Sequence, residues 1–393
     1  MGYCEILCQL CGVTFAIARL RRGDEPEEAG WDYTGSGYID ADGFPCGEEF
    51  CGEGSGCTIS DQEGDRAGEH LAGLNCVSEN GYTGHRISVA EMKGCRAIQC
   101  LVKKDTDWVP EDDDQDFEIE GDYFLTGIGD GSPDEAPLED IEPVRHGVSD
   151  ILISNDSVDD EWGLPFHPTC FEIYKKVCEI RIGRIDTEGL WYWRDLGCDY
   201  QTFFMDFPRE PAVRSSSDQW WRHQPGCEYL VANPIDVPGL SEMLEPPVYS
   251  ADKKNTFGWN EGSDDSLTQD HRTPPSTSRT AQDPFSVLSA EITSMILDRL
   301  GSKDIANLRL ATPVFRQLPT ILFRRLFLED MPWLFEAQDL DVAKVDWYDW
   351  YCRWKSCGED LKGLRNRRRI WRDVEEIVRR IQDLRDLGQI GKL

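Results

Sequence analysis

The pattern of apolar and polar positions divides the chain into an N-terminal part with short alternating runs and a C-terminal part with helical spacing. In residues 1–249, apolar residues alternate with smaller or polar ones over short runs separated by turn residues, a pattern typical of strands. Phe171, Tyr174 and Val177 fall three apart and predict a helix over 170–180. An α+β domain is therefore expected, with its strands at 13–17, 95–104 and 122–128.

Residues 250–282 differ in composition from both parts. They carry almost no aliphatic residues and are rich in Ser, Thr, Asp, Asn and Pro. Such a segment buries too little apolar surface to offset the entropy lost on ordering, so it is predicted to be a disordered linker.

Three short amphipathic segments follow the linker within 283–319. In the first, apolar residues recur every four positions, Ser289 can cap the start and Gly301 can end the helix. Ser302 is expected to cap the second helix, and Thr312 followed by Pro313 predicts a third start. A helical module over 283–330 and a helical extension over 331–393 are expected. From spacing alone, the module is either a hairpin inside a larger domain or a group of helices with one face left for another protein.

The C-terminal extension contains a seam of apolar residues that step by four and three. We expect it to pack against the module and the aromatic segment 347–354; a coiled-coil partner is the alternative. The seam consists of Ile370, Val374, Ile377, Ile381 and Leu384. Beside it lies a basic run that fits a nuclear import signal, a patch for an acidic partner, or a region that neutralises the acidic domain. The run consists of Arg365, Arg367, Arg368, Arg369 and Arg372.

The formal charge of −33 is concentrated in the N-terminal part. Residues 281–393 hold 19 Lys and Arg against 18 Asp and Glu, which leaves 22 against 56 for residues 1–280. So acidic a surface repels phosphate, so no nucleic-acid partner is expected; a basic partner or simple solubility fits better.

The N-terminus and the hydropathy of the chain bear on its location. No run of about 18 apolar residues predicts a membrane span, and the first residues lack the charge order of a signal peptide. A cytoplasmic or nuclear location is expected, where the 15 cysteines are thiols or metal ligands rather than disulfides.

Two short motifs carry residue types that bind zinc. Cys8 and Cys11 stand three apart before Gly12, as in a zinc knuckle, and His167 and Cys170 stand three apart at the start of the predicted helix. Together they would form a closed structural tetrahedron, although 159 residues separate Cys11 from Cys170. Buried thiols with an unrelated histidine are the alternative.

The remaining cysteines match no standard spacing. A second metal site is possible in principle, but buried free cysteine is the better interpretation of these positions. The residues considered are Cys46, Cys51 and Cys57, His70 with Cys76, and Cys95 with Cys100. No cysteine stands beside an obvious activating base, so no enzymatic activity is expected.

The three helical segments resemble the F-box, with bounds here at 283–318. The leucine-led first helix, the Lys-Asp-Ile second helix and the Val-Phe-Arg third helix follow the order of that family. The resemblance implies docking on the Skp adaptor of a cullin-based ubiquitin ligase. Ser289 departs from the family, which usually has proline there, and so loses a preset φ. The positions that match the adaptor-binding face are Leu288, Ile292, Ile296, Leu297, Leu300, Ile305, Leu308, Val314 and Phe315.

Further segments extend the resemblance over nearly the whole chain. HLAGLNC, GYTGHRIS and PFHPTCFEIY, among others, are similar to a group of fungal F-box proteins with a long N-terminal region. This implies a receptor subunit of an SCF-type ligase whose acidic domain presents an unknown protein target. The competing hypothesis is a zinc-stabilised structural or interaction protein with no ubiquitin role.

Overall fold

Two units make up the chain. They comprise Met1–Pro238 together with Glu359–Leu393 (unit 1), and Gly239–Gly358 (unit 2). The expected linker at 250–282 and Cys46 lie outside the described residues. The computed structural model describes residues 6–32, 51–60, 68–130, 163–196, 207–217, 220–245, 283–316, 318–342, 344–357 and 361–391.

The main sheet of unit 1 forms around one long strand, β5, Ala97–Lys103. This strand pairs antiparallel with three shorter strands, and its residues Cys100 and Leu101 are fully buried. Alternating apolar residues in 95–104 predicted this strand correctly. Its partners are β6 (Tyr123–Leu125), β7 (Gly129–Asp130) and β8 (Gly163–Phe166), while two small pairs join β1 (Arg19–Leu20) to β4 (Tyr82–Thr83) and β2 (Thr58–Ile59) to β3 (His70–Leu71).

The strand predicted at 13–17 is wrong. That stretch holds only an isolated bridge between Leu7 and Thr14, and the regular strand begins later, at Arg19. Val13, Phe15 and Ile17 are all buried. The alternation therefore predicted the burial of these three side chains correctly. The tight turn before Val13 leaves too little extended chain for regular pairing between strands.

Two helices of unit 1 contact its main sheet: Asp116–Glu120 contacts β6, and Pro168–Ile182 contacts β5. The helix predicted over 170–180 is confirmed within α2, which ends at Gly183 in the left-handed conformation (φ +78°). The described helices of unit 1 are α1 (Asp116–Glu120), α2 (Pro168–Ile182), α3 (Thr187–Leu196), α4 (Pro211–Ser216) and the C-terminal α10 (Lys362–Asp386), with 3₁₀ turns at Glu27–Ala29 and Glu228–Val231.

Helix α10 packs in unit 1, contrary to the expectation that it would cover the three-helix module. It contacts α2, α3 and the Glu228–Val231 turn. Ile370, Val374, Ile377 and Ile381 of the predicted seam are buried. The periodicity thus identified the buried face correctly but not what it packs against.

The regular elements described in unit 2 are all helices or 3₁₀ turns. Ser289 caps the first module helix as predicted, accepting a hydrogen bond from the Ile292 amide at 3.4 Å. The second helix is capped at Gly301 rather than Ser302, and the expected third helix is a 3₁₀ turn, Pro313–Arg316. The other elements are Pro284–Val287 and Phe335–Asp339 (3₁₀) and α5 (Leu240–Leu244), α6 (Ala290–Leu297), α7 (Ser302–Ala311), α8 (Thr320–Asp330) and α9 (Trp347–Cys357).

The described residues bear out the mixed α+β class in its coarse form, with helices beside small sheets. Within those residues, no helix combines the length and apolar character that a bilayer crossing requires.

Candidate metal centres

The first cysteine pair lies on a tight turn near the N-terminus. The Gly12 amide donates to the Cys8 carbonyl at 2.8 Å, and the Cys8 amide donates to the Val13 carbonyl at 2.9 Å. Gly12 has φ +74°, which a residue with a side chain adopts only at a cost. This reversal turns both sulfurs to one side, as a metal knuckle requires.

The second ligand pair lies where β8 passes into α2. His167 is the N-cap of α2, Pro168 takes the first helical position, and Cys170 follows in the first turn. The Gln9 amide donates to the Pro165 carbonyl at 2.9 Å, which joins the turn to β8. The chain thereby brings the two pairs together despite their separation in sequence.

All four predicted ligand residues meet in one buried cluster, the first tetrad, formed by Cys8, Cys11, His167 and Cys170. Their ligand atoms all lie within 4.8 Å of one another. His167 Nδ1 is 3.5 Å from Cys11 Sγ and 3.8 Å from Cys170 Sγ. A tetrahedral zinc with bonds of about 2.0–2.3 Å separates its ligands by roughly 3.5–3.8 Å, so this set fits zinc.

The tautomer of His167 suits a metal ligand. Its Nε2 is 3.0 Å from the Cys95 carbonyl oxygen, which can only accept, so Nε2 carries the proton. Nδ1 then presents its lone pair to the sulfurs. An imidazole fixed in this way by a carbonyl is the usual partner arrangement of a ligating histidine.

Electrostatics inside the first tetrad favour a thiolate at Cys11, whereas burial and the hydrogen bonds with Cys11 and Cys8 raise the pKa of the Cys170 thiol well above its ordinary value. Burial opposes ionisation of Cys11, yet hydrogen bonds with Cys170 and Cys8 and the charge of His167 lower the pKa of its thiol well below the ordinary value. Burial alone would lower the pKa of His167, but negative charge on Cys11 and Cys8 raises it to about 10. A proton therefore holds Nδ1 beside the sulfurs until a metal ion displaces it and takes the lone pair. A divalent cation is a natural source of the positive charge that these thiolates attract.

Buried charged side chains surround the knuckle, and sequence reasoning missed them. The Arg369 guanidinium donates to the Cys11 carbonyl at 2.7 Å, and Arg209 donates to the Gln9 carbonyl at 2.8 Å. Asp373 lies 3.2 Å from Arg209 and 3.6 Å from Arg369. Part of the predicted basic run is therefore structural, because Arg369 holds the metal-site backbone rather than facing a partner.

A second cluster, the second tetrad, is formed by Cys51, Cys57, His70 and Cys76. Its ligand atoms also lie within 4.8 Å of one another. The sequence raised each of these residues but not this combination, since no local spacing links them. Cys95 and Cys100 do not belong to either cluster found among the described residues.

The residues predicted to bind the adaptor divide into three groups by burial. Leu297, Ile305 and Phe315 are buried within unit 2. Ile292 is 44% exposed. The half-buried remainder comprises Leu288, Ile296, Leu300, Leu308 and Val314.

Comparison of the chain with protein-family models, with curated proteins and with solved structures found no match.

Proposed function

We propose that this chain is the non-catalytic substrate-receptor subunit of an SCF-type cullin–RING ubiquitin ligase. Residues 283–318 act as the F-box that binds the Skp adaptor, and the acidic unit 1 presents an unknown protein target. Such a subunit accelerates ubiquitin transfer by proximity, because it raises the effective concentration of target lysines near the charged enzyme.

The observation that carries this proposal is a set of aliphatic side chains exposed on the short helices of the module. Ile292 and Met295 on α6 are 44% and 60% exposed, and Val287 and Leu310 are 83% and 85% exposed. Ile292 and Met295 stand three apart on one helix and so share a face of it, and an exposed apolar face is typical of a protein-binding surface. It is the kind of surface that the adaptor would cover.

The module has a small interior that keeps this surface in place. Phe285 and Phe315 meet edge to face with ring centroids 5.5 Å apart. The Arg325 guanidinium donates to the Leu297 and Leu300 carbonyls at 2.8 and 3.0 Å, satisfying the end of α6. Short helices held by caps and a few buried residues can offer their remaining apolar residues to a partner.

Co-purification with the Skp adaptor tests the proposal. The Ile292→Asp, Met295→Asp double variant places two charges on exposed positions, so it should stay folded and lose adaptor binding. Leu387→Asp is the matched control, because Leu387 is 72% exposed but lies in unit 1; it should bind normally. Wild-type binding retained by the double variant, or no binding by the wild type, rejects the interface.

A structural zinc ion at the first tetrad is the second part of the proposal. Three thiolates and one imidazole complete a tetrahedral zinc without a position for water or substrate, and closed sites of this type stabilise folds rather than catalyse reactions. When bound, zinc would cross-link the N-terminal turn to the start of α2. If the adaptor does not bind, the same cluster supports the alternative function, a zinc-stabilised interaction protein without a ubiquitin role.

A further inference from the structure

Glycine-rich turns bring the second tetrad together in unit 1. Gly52, Gly54 and Gly56 all have positive φ, and Gly56 immediately precedes Cys57. A Cβ on Gly73 would stand 2.1 Å from the Gly56 carbonyl carbon, so only glycine permits these two turns to touch. The β2–β3 pairing, which places Ile59 opposite His70, brings the segment that carries Cys57 next to the segment that carries His70.

The distances within this cluster match the edges of a zinc tetrahedron. Cys51 Sγ lies 3.7 Å from Cys76 Sγ, and His70 Nε2 lies 3.9 Å from Cys51 Sγ and 3.8 Å from Cys76 Sγ. Edges of roughly 3.5–3.8 Å follow from zinc bonds of about 2.0–2.3 Å. The sulfurs are too far apart for a disulfide, whose bond length is about 2.05 Å.

Packing around the second tetrad is too slight to explain why these cysteines cluster. The buried core there consists of small side chains with one leucine: Ala18, Leu20, Cys57, Ala72 and Cys76. Two larger apolar residues of the same segment, Ile59 and Leu74, are 48% and 70% exposed, and Leu71 is half-buried. A segment that buries so little apolar surface is of the kind that a metal cross-link commonly holds in shape.

His70 provides a separate indication. The side chain is 1% exposed, and its Nε2 points at the sulfurs of Cys51 and Cys76. Thiols are weak hydrogen-bond donors and acceptors, so they compensate a buried imidazole poorly, whereas a metal bond to Nε2 compensates it well.

We infer that the second tetrad binds a second zinc ion, which cross-links the turn that carries Cys51 and Cys57 to the stretch that carries His70 and Cys76. The donor set is again three thiolates and one imidazole, which suits zinc among the common divalent ions. This inference does not depend on adaptor binding, because unit 1 alone supplies all four ligands.

Zinc stoichiometry of the purified full-length chain, measured by elemental analysis and by native mass spectrometry, tests the inference. The wild type should hold two zinc ions. His70→Ala removes one ligand and should hold one, whereas His70→Cys keeps four ligands and should hold two. The matched control is Cys227→Ser, since Cys227 is half-buried like Cys51 but belongs to neither tetrad; it should hold two.

The difference between His70→Cys and His70→Ala decides the matter, because both variants disturb the same position. One zinc ion more in His70→Cys supports the site. Equal zinc content in these two variants rejects it, as does a wild type in which Cys51 or Cys76 is recovered as a disulfide.

Discussion

Two glycines near the first tetrad have similar backbones but differ in how much room each leaves for a side chain. Gly12 and Gly94 have nearly the same backbone conformation, with φ +74° and +76°. Their surroundings differ: a Cβ at Gly12 would lie 3.0 Å from Arg209 Nε and 3.1 Å from Val213 Cγ1, while a Cβ at Gly94 would meet no atom within 4 Å. Alanine substitutions at these two positions therefore separate the cost of backbone strain, which both carry, from the cost of crowding, which only Gly12 carries.

Gly12→Ala should destabilise the protein more than Gly94→Ala. Gly94→Ala carries only the left-handed backbone cost of about 1–2 kcal/mol. Gly12→Ala adds displacement of Arg209 and Val213, for a total of about 2–4 kcal/mol. Urea unfolding of the zinc-loaded chains measures both values. Equal losses would show that the knuckle tolerates a side chain and that crowding is unimportant there.

At the scale of the residue, the sequence could predict ligands that lie close together along the chain, but not contacts between residues far apart in sequence. The pairs Cys8–Cys11 and His167–Cys170 were recognisable because a metal constrains ligands three apart on a turn or helix start. The Cys95 carbonyl that orients His167 and the Arg369 that holds Cys11 could not be found, since nothing local marks a contact made across the fold. The second tetrad was missed as a set for the same reason.

At the scale of the element, helix α10 combines a buried apolar face with a buried charge. Asp373 is enclosed between Arg209 and Arg369, and all three side chains are at most 2% exposed. Nearly three turns further on, Asp383 pairs with Arg379, and both side chains are 56% exposed. The same helix thus contains a buried and an exposed ion pair.

Asp373→Ala should be far more damaging than Asp383→Ala. Removing Asp373 leaves two buried guanidinium groups without their carboxylate, which typically costs about 3–5 kcal/mol. The exposed pair is screened by water and contributes little, so Asp383→Ala should leave stability nearly unchanged. Denaturant unfolding followed by circular dichroism compares them. Similar losses for both variants would contradict the central role given to the Asp373 network.

The packing of α10 also shows what periodicity leaves open. A step of four and three residues identifies which face of a helix is apolar, and Ile370, Val374 and Ile377 are indeed buried. The pattern carries no information about the partner, because α2 and α3 offer the same kind of apolar surface as the module helices. The buried face was thus predictable and the partner was not.

At the scale of the whole molecule, the proposed metal ligands and the proposed adaptor surface belong to different units. Both tetrads lie in unit 1, whereas residues 283–318 lie in unit 2. The described part of unit 2 contributes no residue to either tetrad. Metal binding and adaptor binding should therefore be separable.

Zinc removal by a strong chelator under mild conditions should unfold unit 1 and spare unit 2. Structural zinc contributes about 10–16 kcal/mol of binding free energy in small zinc domains, comparable to the total stability of about 5–15 kcal/mol for a typical protein. Hydrogen exchange should therefore lose protection in β5, α2 and α10 while α6 to α9 keep theirs, and adaptor capture should persist.

The order of loss should also distinguish the two tetrads. Cys51 is partly exposed and His70 Nδ1 has no partner, whereas the first tetrad is fully buried and His167 donates to Cys95. Loss of such an outer partner typically weakens metal affinity by about 10–100-fold, so the second tetrad should release zinc first. A chelator titration followed by native mass spectrometry should pass through a one-zinc species, and His70→Ala should lack the first step. Release of both zinc ions in a single step would mean that the two tetrads are coupled, although they share no ligand. Early hydrogen exchange in α6 to α9 would mean that unit 2 depends on the zinc ions of unit 1.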